Sequence, residues 1–344
     1  SCTFRSLIDR RPISDGRNSA ILPSMRFLFV MDPLETMHPE KDTSFAFMRA
    51  AQKRGHTIVH CLLQDLFVQE GKAHAAARTA SVRPTAPFSS YGESQLLSAH
   101  DVDAVLIRKD PPFDIAYLNA TQILDLARHD TFIMNDPRGL RDADEKLFAL
   151  HFSSWIPRTC VTSDSQRIRT FLGECGGAAV IKPIGRAGGF GVLKLTSQDI
   201  NTPSIVSLLT EEGKRPVMVQ EYLPSVRQGD KRILVLDGKP LGAILRVPRD
   251  DDLRANIHVG GSVVGSDLTA EEVALVADVG PVLRAAGLYF VGLDVIGGRL
   301  TEVNVTSPTG IQELGRLNGT SPEDEVIEWL ESKAEEIAKG RRAR

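Results

Sequence analysis

Cysteine is scarce in this 344-residue chain, which contains only four, and no two of them form a CxxC pair. Cys2, Cys61, Cys160 and Cys175 are scattered, and the histidines show no metal-ligand spacing with them. This pattern excludes a disulfide framework and a cysteine-rich zinc site. We interpret the cysteines as reduced thiols, mostly small buried hydrophobes, which predicts a cytoplasmic protein.

Long hydrophobic runs and an excess of one charge sign are also missing. No stretch approaches the roughly 18 to 20 continuous apolar residues that cross a bilayer, so we predict no membrane partner. The formal net charge is −3, with 25% charged residues, and we predict no nucleic-acid partner on this balance. The length fits two or three packed subdomains with ordinary globular composition.

Residues 1–24 lack helical or strand periodicity and end just before Met25. The segment is rich in arginine, as transit peptides are, but Asp9 and Asp15 weaken that interpretation and no apolar signal-peptide core is present. We therefore predict an appended, poorly ordered extension.

From Met25 onward, strand and helix patterns alternate. The predicted elements are strands over 26–32, 57–63, 103–109 and 131–135, with helices over 44–55 and 115–129. This alternation predicts an N-terminal α/β domain over 25–139 with an open, largely parallel sheet. Ligands bind beyond the carboxyl ends of such strands, where Asp32 and Arg108 lie, although turn and cap chemistry explains these residues equally well.

The composition changes near residue 140, where the second half becomes rich in strands. Asp144 is a candidate cap for a helix containing Lys146. Predicted strands follow over 178–184, 216–222, 231–237 and 239–247, with a hairpin over 289–305. Together with a terminal amphipathic helix over 322–344, they predict an α+β module over 140–344.

The predicted hairpin carries two carboxylates and an amide that suit a cation. Glu302 and Asn304 are two residues apart on a strand and therefore share a face. Asp294 joins them if the turn is a three-residue loop over 297–299, whereas a two-residue turn would place it on the other face. Oxygen ligands of this kind suit Mg²⁺ with nucleotide phosphates. A solvated hairpin face is the alternative.

Lys182 closes an apolar strand just before the glycine-rich loop GRAGGFG at 185–191. A lysine beside such a loop suits phosphate oxygens, which backbone N–H groups can also bind. Neither GxxxxGK[ST] nor GxGxxG is present, and glycine loops are often only loops. The segment Gln220 to Leu223, at the end of another apolar strand, could line an adenine ring or be an ordinary strand end.

Charged residues in the same half form a further set, consisting of Asp230, Arg232, Arg246, Arg254 and Asn256. The planar arginine fork suits carboxylates and phosphates, so these residues fit an acidic, peptide-like substrate, with surface salt bridges as the alternative. The polar, glycine-rich segment 248–266 is typical of a lid.

Seven segments in this order resemble bacterial glutathione synthetase, a member of the ATP-grasp superfamily. They are VMDP (30–33), IRKDPPFD (107–114), LRDADEKLF (140–148), IKPIGRAGGFG (181–191), QEYLP (220–224), GDKRILVLDG (229–238) and FVGLDVIGGRLTEVNVTSPTG (290–310). The resemblance implies an N-terminal pre-ATP-grasp domain followed by two α+β subdomains, a small lid subdomain over about 145–220 and a large one over about 221–335. ATP would lie between these two subdomains.

The resemblance also implies residue roles. ATP would contact Lys146, Lys182, Gly188, Gly189, Gln220, Glu221, Tyr222, Leu223 and Asn304. Two Mg²⁺ ions, with Mn²⁺ as a possible substitute, would be held by Asp294, Glu302 and Asn304. The substrate would contact Asp32, Arg108, Asp230, Arg232, Arg246, Arg254 and Asn256, and the catalytic groups would be Arg232, Arg246 and Lys182.

We therefore predict ATP-dependent ligation of γ-glutamylcysteine and glycine to glutathione through an acyl phosphate, with catalysis by positioning and charge neutralisation. One alternative is a related ligase with another amine acceptor, and a second is a non-catalytic nucleotide-binding protein. The predicted partners are these small molecules and further copies of the chain, as a homo-oligomeric dimer or tetramer.

Overall fold

The fold is described from a computed structural model that covers residues 24–248 and 262–343. The strands are β1 (Arg26–Val30), β2 (Thr57–Cys61), β3 (Leu66–Gln69), β4 (Lys72–Val82), β5 (Ser89–Ser98), β6 (Ala104–Ile107), β7 (Phe132–Met134), β8 (Thr159–Thr162), β9 (Ala178–Pro183), β10 (Leu193–Thr196), β11 (Val217–Glu221), β12 (Asp230–Leu236), β13 (Lys239–Val247), β14 (Ser262–Gly265), β15 (Phe290–Ile296) and β16 (Arg299–Asn304). The α-helices are α1 (Thr43–Lys53), α2 (Ile115–Asp125), α3 (Pro137–Asp142), α4 (Ser165–Glu174), α5 (Thr202–Leu209), α6 (Ala270–Ala285), α7 (Ile311–Asn318) and α8 (Pro322–Arg342), and short 3₁₀ helices span Leu34–Thr36, Leu63–Asp65, Leu147–Phe152 and Pro224–Gln228.

The N-terminal sheet has a parallel centre and an antiparallel flank. Strands β2, β1, β6 and β7 run parallel, as predicted. Strands β3, β4 and β5 add an antiparallel extension that the sequence patterns did not predict. The inward-facing residues of β4 include Ala73, Ala75 and Ala77, and alanine contrasts little with polar neighbours and favours helix over strand.

Strand β1 is buried on both faces, with Phe27, Leu28, Phe29 and Val30 all at 0% exposure. A parallel strand covered on both sides reads as a continuous apolar run for this reason. Because β1 and β6 are parallel neighbours, their carboxyl ends bring Asp32 and Arg108 to the same edge of the sheet.

Two antiparallel sheets follow, as the strand-rich second half predicted. The four-stranded sheet has the order β10-β9-β11-β8, and the five-stranded sheet has the order β14-β13-β12-β15-β16. The four-stranded sheet has its own small core with α4 and α5, which includes Ile168, Ile181 and Val206. Helix α6 packs on the face of the five-stranded sheet that carries Ile233 and Leu293. The opposite face carries Arg232 and Asp294 at one end, while Leu234, Leu236 and Phe290 belong to a second buried core.

The hairpin β15–β16 corrects one prediction. The connection is a two-residue turn of Gly297 and Gly298, both with positive φ, and not the predicted three-residue loop. Asp294 nevertheless lies opposite Glu302, because the register shifts between Asp294 and Val295 and Thr301 is the extra residue of a β-bulge. The bulge therefore restores the shared face that a two-residue turn alone would have removed.

Helix α8, predicted from its amphipathic pattern, packs against α1. Glu331 lies beneath Arg54, whose Nε donates to its carboxylate at 2.6 Å, and beside buried His56. Burial raises the pKa of Glu331, but hydrogen bonds from Arg54 and His56 outweigh burial and hold that pKa below its usual value. In the described residues, no helix is long and apolar enough to cross a membrane.

The remaining local predictions stand as follows. Asp144 accepts hydrogen bonds from the backbone N–H groups of Lys146 and Leu147. The prediction that it caps a helix containing Lys146 is wrong, because the helix that follows is a 3₁₀ helix over Leu147–Phe152 whose N-cap is Lys146. Cys61 is buried, whereas Cys160 and Cys175 are half-buried. The predicted extension over 1–24 lies outside the described residues except for Ser24.

Candidate active site

Two cavities meet at Asp294 and Glu302, which line both of them. The larger is a cleft of about 1140 Å³ between the N-terminal sheet and the five-stranded sheet. The smaller is a pocket of about 140 Å³ between the four-stranded and five-stranded sheets. The junction of the two cavities is where a group transferred from one bound molecule to the other would pass.

Four charged side chains form a buried network at this junction. Arg232 holds Asp294 through two hydrogen bonds, Nε to Oδ1 at 2.7 Å and Nη2 to Oδ2 at 2.9 Å. Arg246 bridges Asp294 Oδ2 at 2.9 Å and Asp230 Oδ2 at 2.6 Å. Strand pairing explains the network, since Arg232 lies opposite Asp294 and Asp230 opposite Arg246. Arg232 and Arg246 line the larger cleft, whereas Asp230 lines the smaller pocket.

The pKa values of the two carboxylates in this network are shifted in opposite directions. Burial raises the pKa of Asp294, but the guanidinium groups of Arg232 and Arg246 outweigh it and hold that pKa far below the usual range. Burial also acts on Asp230 and raises its pKa to about 7, with Arg246 opposing the shift. The two arginines therefore favour the anionic form of Asp294, while burial favours the neutral form of Asp230.

Asp294, Glu302 and Asn304 offer a donor set that fits a hard cation. Asp294 and Glu302 are cross-strand partners, and Asn304 Nδ2 donates to the Gly292 carbonyl at 3.1 Å, which fixes the side-chain amide. Asp294 can accept further bonds, since an ionised carboxylate offers about four lone-pair sites. In the described residues no three His, Cys, Asp or Glu side chains form a metal cluster, so substrate oxygens would have to complete the coordination of Mg²⁺.

Two lysines flank Glu302. Lys146 Nζ lies 3.5 Å from Glu302 Oε1 and donates to the Arg186 carbonyl in the glycine loop. Lys182, on β9, is 7% exposed, and burial lowers its pKa, which Glu302 opposes. Two cations next to one carboxylate leave an excess of positive charge that suits a polyphosphate.

The glycine loop supplies flexible backbone at the same place. Gly188 and Gly189 both have positive φ, at 66° and 74°, which only glycine adopts readily. Gly188 lines the cleft and Gly189 lines the pocket, so the loop spans the junction.

The smaller pocket is lined by Gln220, Glu221, Tyr222 and Leu223, together with Val180 and Leu193. Gln220 is 2% exposed, and its Nε2 donates to Thr159 Oγ1 at 3.0 Å, which leaves Oε1 buried without a partner. Lys194 Nζ lies 3.9 Å from the centre of the Tyr222 ring. The pocket is mostly apolar and has an unsatisfied acceptor in Gln220 Oε1, which suits a heteroaromatic ring that bears an amino group.

The N-terminal side of the cleft carries the other predicted substrate residues. Asp32 Oδ1 lies 3.2 Å from Lys109 Nζ, and Asp32 Oδ2 accepts from the Asp110 backbone N–H. Arg108 is buried and donates to Ser44 Oγ and to the Pro308 carbonyl. Both predicted residues line the cleft, although Asp32 is also engaged in turn chemistry.

Some predicted site residues lie outside the described part of the chain, and two residues that line the cleft were not predicted. Arg254, Asn256 and most of the predicted lid lie outside the described residues, while residues 262–265 of that segment form β14. Sequence reasoning missed Glu145 and Glu313, which line the cleft. Glu145 Oε1 accepts from Thr306 Oγ1 at 2.8 Å, and its position directly before Lys146 was the only available signal.

Two stretches of the chain match the two domains of one known protein family. The prokaryotic glutathione synthetase N-terminal domain matches residues 25–141, and the prokaryotic glutathione synthetase ATP-grasp domain matches residues 145–319. The chain belongs to the prokaryotic glutathione synthetase family. The resemblance seen in the seven sequence segments is confirmed by these matches.

Relatives of this glutathione synthetase family member align over nearly their whole length. The glutathione synthetase of Gloeobacter violaceus is 47% identical over 313 residues, covering 89% of this chain and 96% of the relative. That of Synechocystis is 45% identical over 318 residues, covering 89% and 99%. That of Mesorhizobium japonicum is 40% identical over 290 residues, covering 84% and 92%.

Solved structures place the chain among ATP-grasp ligases by fold. The D-cycloserine synthetase DcsG superposes with a TM-score of 0.62 at 16% identity, covering 91% of this chain and 99% of that one. The ATP-grasp ligase PsnB, solved with its precursor peptide and AMPPNP, gives a TM-score of 0.58 at 16% identity, covering 90% and 98%. The predicted fold class, an N-terminal α/β domain followed by an ATP-grasp module, is confirmed.

Proposed function

We propose that this chain ligates γ-L-glutamyl-L-cysteine to glycine, forming glutathione with release of ADP and phosphate. The observation that carries the proposal is the meeting of an adenine-sized apolar pocket with a large polar cleft at Asp294 and Glu302, between Lys146 and Lys182. Membership of the glutathione synthetase family supplies the substrate identities. The predicted ligase class agrees with that membership.

ATP fits the smaller pocket with its phosphates toward the junction. The adenine amino group would donate to the unpartnered Oε1 of Gln220, since a buried acceptor without a partner costs free energy that such a bond recovers. Tyr222, Leu223 and the backbone of Glu221 would line the ring. Lys146, Lys182, Gly188, Gly189 and Asn304 would surround the phosphates.

The first step forms an acyl phosphate. An oxygen of the cysteinyl carboxylate attacks the γ-phosphorus, the bond between that phosphorus and the β,γ-bridging oxygen breaks, and ADP leaves. The transition state spreads negative charge over the γ-oxygens, so catalysis depends on positioning and on nearby cations. Lys182, buried and without a hydrogen-bonded carboxylate in the described residues, is placed to neutralise that charge.

Asp294, Glu302 and Asn304 would hold Mg²⁺, which supplies charge neutralisation and orientation of the phosphates when bound. Two ions, and Mn²⁺ in place of Mg²⁺, are part of the proposal. Arg232 and Arg246 orient Asp294 through the hydrogen bonds described above, so these arginines fix the carboxylate against which the reacting groups assemble.

The second step joins glycine. The free amine attacks the acyl carbon, the carbon–nitrogen bond forms, the carbon–oxygen bond to phosphate breaks, and phosphate leaves with the excess amine proton passing to phosphate or solvent. Arg232 or Arg246 would stabilise the negative oxygen of the tetrahedral intermediate. Asp230 would keep Arg246 in position.

ADP release is the direct test, with ATP, Mg²⁺ and γ-glutamylcysteine present and glycine added or omitted, then with alanine and serine in its place. We expect glycine-dependent turnover with glutathione as the product. If ADP forms only with another amine, the proposed ligase chemistry stands and that amine replaces glycine as the proposed acceptor. Nucleotide binding without ADP release under every combination would favour a non-catalytic protein.

Four wider predictions belong to the same proposal. We propose a domain boundary near residue 140 and a division of the ATP-grasp module near residue 220. We also propose a cytoplasmic location and a homo-oligomeric state, either a dimer or a tetramer.

A further inference from the structure

Two buried charged groups in the large cleft are incompletely paired in the described residues, since Arg108 has no carboxylate at hydrogen-bond distance and Glu313 pairs through Oε1 alone, with Arg316 at 3.4 Å. Arg108 is 4% exposed, and in the described part of the chain its guanidinium donates only to a hydroxyl and a carbonyl. Glu313 has a side chain that is 7% exposed, and its Oε2 is buried without a hydrogen-bond partner. Burying an unpaired charge is costly, so such a pair of sites is expected to be completed by a ligand.

The surroundings hold both groups at the same end of the cleft. Gln312, next to Glu313 on α7, donates its side-chain amide to the carbonyls of Pro39 and Asp42. Asp42 caps α1, whose second residue Ser44 accepts the bond from Arg108 Nε. Helix α7 is therefore tied to the segment that also positions Arg108.

Burial has the expected effect on both groups. It raises the pKa of the Glu313 carboxyl, with Arg316 opposing at 3.4 Å from Oε1. It lowers the pKa of Arg108, with Asp42 and Asp110 opposing. A bound ammonium beside Glu313 and a bound carboxylate beside Arg108 would relieve both burial costs.

We propose that Arg108 and Glu313 together bind the free α-carboxylate and α-ammonium of the γ-linked glutamyl group, and that Glu313 sets the preference for a γ-glutamyl substrate. This proposal rests on the proposed function for the identity of the dipeptide. Of the two substrates, only the γ-linked glutamyl end carries an ammonium and a carboxylate that take no part in the reaction. Glycine must present a free amine to the acyl carbon, so a carboxylate that holds its ammonium would oppose the second step.

The orientation of the dipeptide follows. Its glutamyl head lies against β6, α1 and α7, and its cysteinyl carboxylate reaches the junction at Asp294 and Glu302. An α-linked glutamyl dipeptide has its ammonium next to the peptide bond and its free carboxylate on the side chain, so it cannot satisfy both groups in the same geometry.

Equilibrium binding to the full chain tests this assignment with three probes. They are γ-glutamylcysteine, glutarylcysteine, which lacks the α-amino group, and 4-aminobutanoylcysteine, which lacks the α-carboxylate. For the unaltered chain we expect each truncated probe to bind about 10- to 100-fold more weakly, because one buried charge stays unpaired.

The variants separate the two contacts. Glu313→Gln should bind γ-glutamylcysteine about as weakly as it binds glutarylcysteine. Arg108→Met should bind γ-glutamylcysteine about as weakly as it binds 4-aminobutanoylcysteine, and it should still bind glutarylcysteine more weakly than γ-glutamylcysteine. Glu40→Gln is the matched control, since Glu40 is an exposed carboxylate that lines the same cleft, and it should keep the full preference. A structural role for Glu313 would weaken all three probes equally and would overturn the assignment.

Two further outcomes are decisive. Equal binding of the three probes to the unaltered chain would overturn the proposal. This comparison needs no variant, so misfolding of a variant could not explain the result. Because binding is read without turnover, a chain that discriminates the probes but releases no ADP would retain this site and refute the proposed reaction. A chain that makes glutathione but binds the three probes equally would retain the proposed reaction and refute this site.

Discussion

Asp294 and Glu302 lie opposite each other at the cavity junction, yet their environments predict different consequences of substitution. Asp294 is 4% exposed and is the carboxylate that holds Arg232 through two hydrogen bonds. Glu302 has a side chain that is 22% exposed and one longer contact, at 3.5 Å, to Lys146. Both changes to an amide should abolish most of the turnover, but only one should destabilise the fold.

The magnitudes follow from burial. In the described residues, Asp294→Asn leaves Arg246 with Asp230 as its carboxylate partner and Arg232 with none, and removing one member of a buried ion pair costs about 3–5 kcal/mol. Glu302→Gln removes a partly exposed pair, which is worth about 1 kcal/mol or less. A loss of at least about 100-fold in kcat is expected for both if the carboxylates hold the cation that neutralises the γ-phosphate.

The assays are urea unfolding followed by tryptophan fluorescence and ADP release with all substrates present. The reasoning predicts that Glu302→Gln unfolds at nearly the same urea concentration as the unaltered chain and is inactive. Near-normal activity of Glu302→Gln would refute the metal assignment. Unchanged stability of Asp294→Asn would refute the energetic role assigned to the arginine network.

Three further predictions concern other parts of the molecule. Gly280→Ala should destabilise the protein by about 2 kcal/mol or more, because a Cβ there would lie 2.2 Å from the Gly238 carbonyl oxygen. Gly173→Ala should stabilise helix α4 by about 0.5–1 kcal/mol, because a Cβ at Gly173 would meet open space. Urea unfolding measures both effects. The pKa of Glu331 lies below its ordinary value of 4.5, so its contribution to the free energy of unfolding is present above pH 4.5 and is lost as the pH falls further. Glu331→Gln should lower the free energy of unfolding by about 2 kcal/mol near neutral pH and should make it depend less on pH on the acid side. Gln220→Leu should raise KM for ATP by about 10-fold with little change in kcat and should reduce discrimination against GTP, and unchanged nucleotide kinetics would contradict the adenine contact.

Contrast between apolar and polar residues governed which elements could be predicted. The parallel strands β1 and β6 were predictable because they are buried on both faces and read as apolar runs. Strands β4 and β5 were not, because small and polar residues fill them and their pairing is long-range. The helix predicted to extend to about His129 ends at Asp125, a boundary that turn geometry sets.

The sequence by itself determined the family, the order of the strands and helices that have clear apolar patterns, and the chemical types at the site, because residue identity and spacing along the chain carry that information. Tertiary structure alone decided how Asp294 comes to face Glu302, since a bulge at Thr301 offsets a two-residue turn. It also decided the roles open to Arg108 and Glu313, which are 205 positions apart in the sequence. Their incomplete pairing inside the cleft depends on how α7 packs beside α1, and no local pattern encodes that packing.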